Sequence, residues 1–328
     1  MRNPLPGVRT PRTPQEARPS EAAVGATRIA AVSALVANAL IVLTGALVRL
    51  TGSGLGCPTW PRCTRGSFVT TAEMGVHGIV EFGNRMLGIV VGLVTLTVVI
   101  ALLRDRRRPR WSLPLAIGVL TGVGVQGLIG GLSVRRDLAP EIVAGHFLVS
   151  MALIAALTVL VDLLRRPHAV FRVPADPRVR LTVLALPIVL AIVLGLGTLV
   201  TGSGLNAGDD TARRLGLDAA ALTTAHAFAV LALIGVQAAT LLALHITGAA
   251  RRTRRTAITL LVVSLAQGVI GSLQNALALP VPMVATHVVT AALIVMAATY
   301  LVAHTVRSTT TTTTGLTDDM DRRDVPSG

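Results

Sequence analysis

Apolar residues in this chain come in long uninterrupted blocks, with neither the alternation of a half-buried strand nor the single stripe of a surface helix. The blocks cover 28–50, 76–103, 111–133, 141–164, 181–203, 219–246, 255–277 and 283–306, separated by arginines or by Pro/Gly-rich breaks. At about 1.5 Å of rise per residue, each is long enough to cross roughly 30 Å of hydrocarbon as a helix. The pattern predicts an all-α polytopic membrane protein with eight transmembrane helices. The first block is too long for a signal-peptide core and lacks a clear cleavage site, so it reads as an uncleaved helix. Residues 1–27, rich in Pro and Arg, and 307–328, with Thr309 to Thr314 followed by an acidic end, are expected to be disordered tails. Residues 165–180 form a linker between an N-terminal half, 28–164, and a C-terminal half, 181–306.

Composition agrees with that reading: 52% of residues are apolar and only 14% charged, against about a quarter charged in soluble domains. A formal charge of +14 on a soluble surface would suggest nucleic acid. Here the charge is confined to loops and tails, and eight aromatic residues give no stacking platform for bases, which excludes nucleic acid as a partner. All 30 basic residues are arginines. Of these, 22 lie in the two tails, counting Arg28 at the tail's junction with the first block, and in the segments around 104–110, 165–180 and 251–255, whereas the alternate loops hold only Arg62, Arg65, Arg135, Arg136, Arg213 and Arg214. The positive-inside rule then places both termini in the cytoplasm.

The chain also repeats itself. Residues 48–55, VRLTGSGL, return as 198–205, TLVTGSGL, and QGLIG at 126–130 returns as QGVIG at 267–271. Each of these glutamines is followed 20 residues later by a histidine, His146 or His287. His77 and His226 follow their TGSG segments by 26 and 25 residues. Four spans per half is an even number, so the halves form two parallel-repeat four-helix bundles related by an axis along the membrane normal. The Gln-Gly segments read as helix-packing faces with a glutamine hydrogen bond.

Four of the seven histidines, His77, His146, His226 and His287, fall one to two turns inside the outer ends of the even-numbered spans, at one shared depth. A lone intramembrane histidine is most often a helix-bridging hydrogen bonder. Four in equivalent helices of a repeat point instead to paired imidazoles on haem iron, because zinc more often recruits Cys or carboxylate ligands. In the second span, His77, Glu81 and Asn84 share one face, with Arg85 one turn from Glu81. Glu81 is the sole acid well inside a span. It is a functional candidate, with an ion pair to Arg85 as the structural alternative. The corresponding stretch after His226 is apolar, so the N-terminal half looks reactive and the C-terminal half looks like a holder. The two cysteines, Cys57 and Cys63, lie in CPTWPRC on the loop above the reactive half; a disulfide there could staple the loop or exchange with a partner thiol.

These residues resemble the haem A synthase family: TGSGLGCPTWPRC after the first span, Glu81-Phe82-Gly83-Asn84-Arg85 in the second, and single histidines opening the later even-numbered helices. The resemblance extends over about residues 28–306. It implies an enzyme of the bacterial cell membrane that oxidises the C8 methyl of haem O to the formyl group of haem A for cytochrome oxidase. It also implies haem b on His226 and His287, a substrate haem on His146 in the N-terminal half, and Glu81 as the essential carboxylate with Arg85 beside it. The implied partners are haem O synthase, an electron donor and the lipid bilayer, with a homo-oligomer as a further expectation. One departure stands out: the family pattern Glu-x-x-His-Arg has asparagine at position 84 here. His77 is the candidate replacement, although it stands about 10 Å from Asn84 along the helix. Two other readings compete. A diheme electron carrier leaves Glu81 unexplained, and a parallel-repeat transporter would place polar groups at the midplane, where this chain is Leu, Val and Ala.

Overall fold

A computed structural model describes residues 21–105, 108–204 and 212–308 of the chain. Eight helices, all long and apolar enough to cross a membrane, account for nearly all of them. They are α1 (Glu21–Leu50), α2 (Gly75–Arg104), α3 (Ser112–Arg135), α4 (Pro140–Arg165), α5 (Pro177–Ser203), α6 (Ala219–Ile246), α7 (Arg251–Ala276) and α8 (Val281–Val306). Each predicted span lies within or nearly within one helix. The main difference is at α1, which begins at Glu21, so residues 21–27 are helical where a disordered tail was expected. The rest of that tail, and residues 309–328 of the other, lie outside the described residues.

Two apolar cores organise the bundle. One is built from α1 to α4, around Val98, Leu102, Val119, Leu157 and Leu160. The other is built mainly from α5 to α8, around Leu186, Leu244, Leu260 and Leu301, with Val42 of α1 and Ile154 of α4 reaching into it. Helix α4 lies at the seam, touching α1, α3, α5 and α8. The helix packing is regular: α1·α2, α2·α3, α3·α4 and α1·α4 contacts are matched by α5·α6, α6·α7, α7·α8 and α5·α8, and α1·α8 by α4·α5. Large apolar side chains such as Ile89, Leu93, Ile188 and Val262 stay exposed along the outward faces. An apolar surface of that extent suits hydrocarbon as its solvent.

The arginine-rich end is locked by a charge cluster that the sequence reading passed over. Asp162, fully buried near the end of α4, accepts from Arg166 Nε and Nη2 at 2.8 and 2.7 Å and from Arg307 Nη1 at 2.5 Å. The same guanidinium groups donate to the carbonyls of Ala303, Arg307, Arg166 and Ala169. Arg307 and Ser308, expected to be tail, instead pair as a short strand, β2 (Arg307–Ser308), with β1 (Val170–Phe171) of the linker. Removing one partner of a buried, hydrogen-bonded ion cluster strands the other charges, at about 3–5 kcal/mol. Asp162→Ala is therefore expected to lower the thermal unfolding midpoint of the detergent-solubilised protein clearly. Glu141→Ala, which breaks the exposed pair with Arg213, should leave that midpoint where it was. Equal midpoints for wild type and Asp162→Ala would refute the locking role.

Candidate functional site

At the other, arginine-poor end, the loop joining α1 to α2 is folded down onto the helices. The TGSG repeat takes two conformations. In the C-terminal half its first three residues finish α5, which runs to Ser203. In the N-terminal half α1 stops at Leu50, Gly52 adopts a left-handed φ of 64°, and the chain turns so that Ser53 N–H donates to the Val48 carbonyl. A positive φ is inexpensive only for glycine, so Gly52 makes that turn possible. The turn buries Ser53 and brings its Oγ to 2.9 Å from Nδ1 of His77. Gly56 then lies directly on the backbone of α2: a Cβ there would be 2.2 Å from the His77 carbonyl oxygen.

Beyond Gly56 the loop is gripped by the Glu81–Arg85 pair. Glu81 is buried; its Oε2 accepts the Cys57 N–H at 2.6 Å and its Oε1 is paired with Arg85. Arg85 donates onward to the carbonyls of Cys57 and Thr59, each at 3.0 Å, and of Arg62 at 3.4 Å. Trp60 reaches across to α3 and occupies the place of a side chain at Gly131, where a Cβ would be 2.3 Å from the indole ring. Arg135 donates to the Trp60 carbonyl and stacks on the ring. Cys57 and Cys63 are joined in a disulfide, and both are fully buried, with Cys63 Sγ 3.4 Å from Met74 Sδ. That burial supports the stapling role, because exchange with a partner thiol would require the loop to open. The ion pair with Arg85 and a reactive role for Glu81 are compatible, since the pair fixes where the carboxylate points.

The four histidines divide three to one. His146, His226 and His287 are the seventh, eighth and seventh residues of α4, α6 and α8, whereas His77 is the third residue of α2. Counted from their helix starts, the first three share a depth and His77 lies roughly 6 Å nearer the end. Each of the three rings lies against a glycine of a neighbouring helix: a Cβ on Gly130, Gly197 or Gly271 would be 3.5, 3.2 or 3.1 Å from the Cε1 of His146, His226 or His287. None of the three Nδ1 atoms makes a hydrogen bond, although all are buried and the Val193 carbonyl stands beside the His226 ring. His226 and His287 are close enough to interact electrostatically. Gln126 and Gln267 each donate Nε2 to the backbone carbonyl of the paired histidine, His146 or His287, at 2.8 Å. Asn84 accepts from Thr44 of α1 at 2.8 Å. Trp60 on Gly131, and Asp162 with Arg307, are contacts the sequence reading missed. The Asp162/Arg166 spacing of four was a legible signal, but the long-range partners were not.

This arrangement is set against a family match. A family model described as cytochrome oxidase assembly protein (COX15-CtaA) matches residues 28–299. The chain belongs to this family. Among curated proteins it is similar to the heme A synthase of Symbiobacterium thermophilum, 32% identical over 173 residues, or 50% of this chain and 56% of that one. The heme A synthase of Alkalihalophilus pseudofirmus is 31% identical over 122 residues, 37% and 40% of the two chains. That of Shewanella oneidensis is 32% identical over 141 residues, 38% and 42%. The matched stretches span about half the length of these curated relatives, or less. For a cytochrome oxidase assembly protein, the donor set fits haem: imidazoles inside a helical bundle, with buried Nδ1 atoms that have no hydrogen-bond partner. Among the described residues no three His, Cys, Asp or Glu groups converge as a bare metal ion would need.

Gly131→Val should expel Trp60 and loosen the segment that covers the disulfide. Thiol labelling of Cys57 and Cys63 in membranes, after brief exposure to a mild reductant, should then rise several-fold over wild type; labelling as slow as wild type would contradict the packing described.

Proposed function

We propose that the protein is a haem A synthase, an oxidoreductase that converts the C8 methyl of haem O to a formyl group by two successive hydroxylations. Each hydroxylation is a two-electron oxidation in which an external oxidant supplies one oxygen atom to a C–H bond; the first gives the alcohol and the second a geminal diol, which loses water to become the aldehyde of haem A. The observation that carries the reading is the unequal furnishing of two similar halves. The C-terminal half carries two imidazoles with buried, unpartnered Nδ1 atoms, His226 and His287, while the N-terminal half sets one comparable imidazole, His146, in a bundle that also carries a buried carboxylate under a tethered loop. The family match and the similarity to heme A synthases point the same way.

In this reading His226 and His287 hold haem b, which supplies one-electron transfer when bound. The N-terminal half receives haem O, with His146 as an iron ligand. Glu81 accepts a proton, or stabilises positive charge that develops at the substrate. Arg85 already donates through Nε, Nη1 and Nη2 to Glu81 and loop carbonyls, which favours orienting Glu81 over meeting a haem propionate. The loop excludes water above the reacting carbon. The halves act as parallel repeats, a reading supported by the matched helix contacts. Both termini face the cytoplasm of a bacterial cell membrane, supported by the arginines gathered at one end. Haem O synthase delivers the substrate, a separate donor supplies electrons, and the protein works alone or as a homo-oligomer.

The deciding experiment is chromatography of haems extracted from protein made in cells that supply haem O, together with a reduced-minus-oxidised spectrum. Haem b with haem O, its hydroxylated form or haem A is expected; haem b alone would support a diheme or monoheme electron carrier instead. Glu81→Ala should accumulate haem O or the hydroxylated intermediate, and unchanged haem A from a folded variant would remove Glu81 from the chemistry. His287→Ala should lose the cofactor haem, and full haem retention would refute that assignment.

A further inference from the structure

The same glycine contact appears beside three histidines and is missing beside the fourth. In a helix, the carbonyl oxygen of residue i−4 lies within reach of whatever occupies the side-chain position of residue i, which is why Ser and Thr bond back to it. Glycine at position i leaves that place open to a neighbour. At Gly130, Gly197 and Gly271 the neighbour is an imidazole, with Nδ1 itself only 3.6 Å from the virtual Cβ at Gly197 and Gly271. The carbonyls one turn before belong to Gln126, Val193 and Gln267, and the Val193 carbonyl is already beside its ring. The repeated Gln-x-x-x-Gly spacing thereby acquires a meaning. The glutamine amide fixes the histidine backbone, and the glycine four residues on opens the glutamine's own carbonyl to the histidine ring.

We propose that Gly130, Gly197 and Gly271 are positioning residues that seat His146, His226 and His287 as the iron ligands of this protein. Each glycine admits the ring so that Nδ1–H, unpartnered in this structure, closes on the helix carbonyl when the histidine is ligated and Nε2 is left for iron. A carbonyl that accepts from the far ring nitrogen of a ligating histidine fixes the tautomer and raises ligand basicity. His77 has no such seat. By the TGSG alignment the counterpart of Gly197 is Leu47, and its Nδ1 is hydrogen-bonded to Ser53. The chain therefore supplies two iron ligands in its C-terminal half and one in its N-terminal half, so the N-terminal haem carries a protein ligand on one face only. This deepens the haem reading above, but it concerns ligation and not oxidation of the methyl group.

The test uses full-length protein purified with its haems, read by electron paramagnetic resonance, redox titration and carbon monoxide binding to the reduced form. Gly271→Ala and Gly197→Ala put a methyl within about 3.2 Å of a ring carbon and should shift the g-values and midpoint potential of the C-terminal haem while haem is retained. Gly268→Ala, on the same helix but with nothing within 4 Å of its Cβ, should shift neither. At Gly130 an added Cβ makes only ordinary contact at 3.5 Å, so Ala should have little effect and Val a large one. His77→Ala should leave haem content as in wild type, and carbon monoxide should bind one haem per chain. Equal responses to Gly268→Ala and Gly271→Ala would reduce the glycines to packing residues. Loss of the N-terminal haem in His77→Ala, or two haems that both exclude carbon monoxide, would overturn the single-ligand assignment. Protein that passes these tests but makes no haem A keeps this proposal and overturns the synthase reading; haem A production with unresponsive spectra does the reverse.

Discussion

Hydrocarbon offers no hydrogen bonds, so every polar group that the chain carries into its helices has to find a partner within the protein. That constraint explains most of what is unusual here. Glu81 is buried but fully engaged, by the Cys57 N–H on one oxygen and Arg85 on the other. Asp162 is more deeply buried and accepts from two guanidinium groups. In both cases the charge is neutralised locally, and the remaining donors are turned to backbone carbonyls that would otherwise lack partners. The groups that break the rule are concentrated: the buried side-chain atoms without a partner include Nδ1 of all three deep histidines and Oε1 of both glutamines that hold them. Unsatisfied polar atoms in a native interior call for an explanation, and each of these Nδ1 atoms belongs to a ring seated against a glycine that leaves the carbonyl one turn earlier open to it.

The two acidic clusters stand at opposite ends and do different mechanical work. At the arginine-rich end, Asp162 ties α4 to the chain leaving α8, with Arg307 as the link. At the arginine-poor end, the Glu81–Arg85 pair holds a loop in place of a helix. The second arrangement is the more easily disturbed, because the loop's other anchors are a glycine-backed indole and a turn that depends on Gly52. A carboxylate placed there is rigid as long as the loop is closed, which links the stapled segment to the geometry of Glu81.

Much of this was legible in the sequence, and the reasons for success and failure are physical. Eight spans and three of the four histidine positions followed from block length and repeat spacing, because hydrophobic length and helical periodicity are local properties. The start of α1 was missed since Glu21 and its neighbours are too polar to register as hydrocarbon-spanning. Arg307 read only as a topological charge because its carboxylate lies 145 residues away in sequence. Trp60 on Gly131 is similarly long-range. His77 looked equivalent to His226 by spacing from TGSG, but spacing does not reveal that the motif unwinds in one half and stays helical in the other.

That divergence of one repeated tetrapeptide is where the halves become chemically distinct. Continuing the helix to Ser203 leaves Gly197 embedded in α5 with a ring against it. Ending the helix at Leu50 instead frees Ser53 to capture the first histidine, and lets the next seven residues descend onto Glu81. The same local event therefore removes one imidazole from the deep layer and supplies the cover for the carboxylate below it. Of two halves built on one framework, the half whose motif stays helical keeps two deep imidazoles, and the half whose motif unwinds keeps one beside a covered carboxylate. In the proposed reading two imidazole ligands suit electron transfer, whereas one imidazole and a carboxylate under a closed loop suit reaction, and the difference originates in whether four residues remain helical.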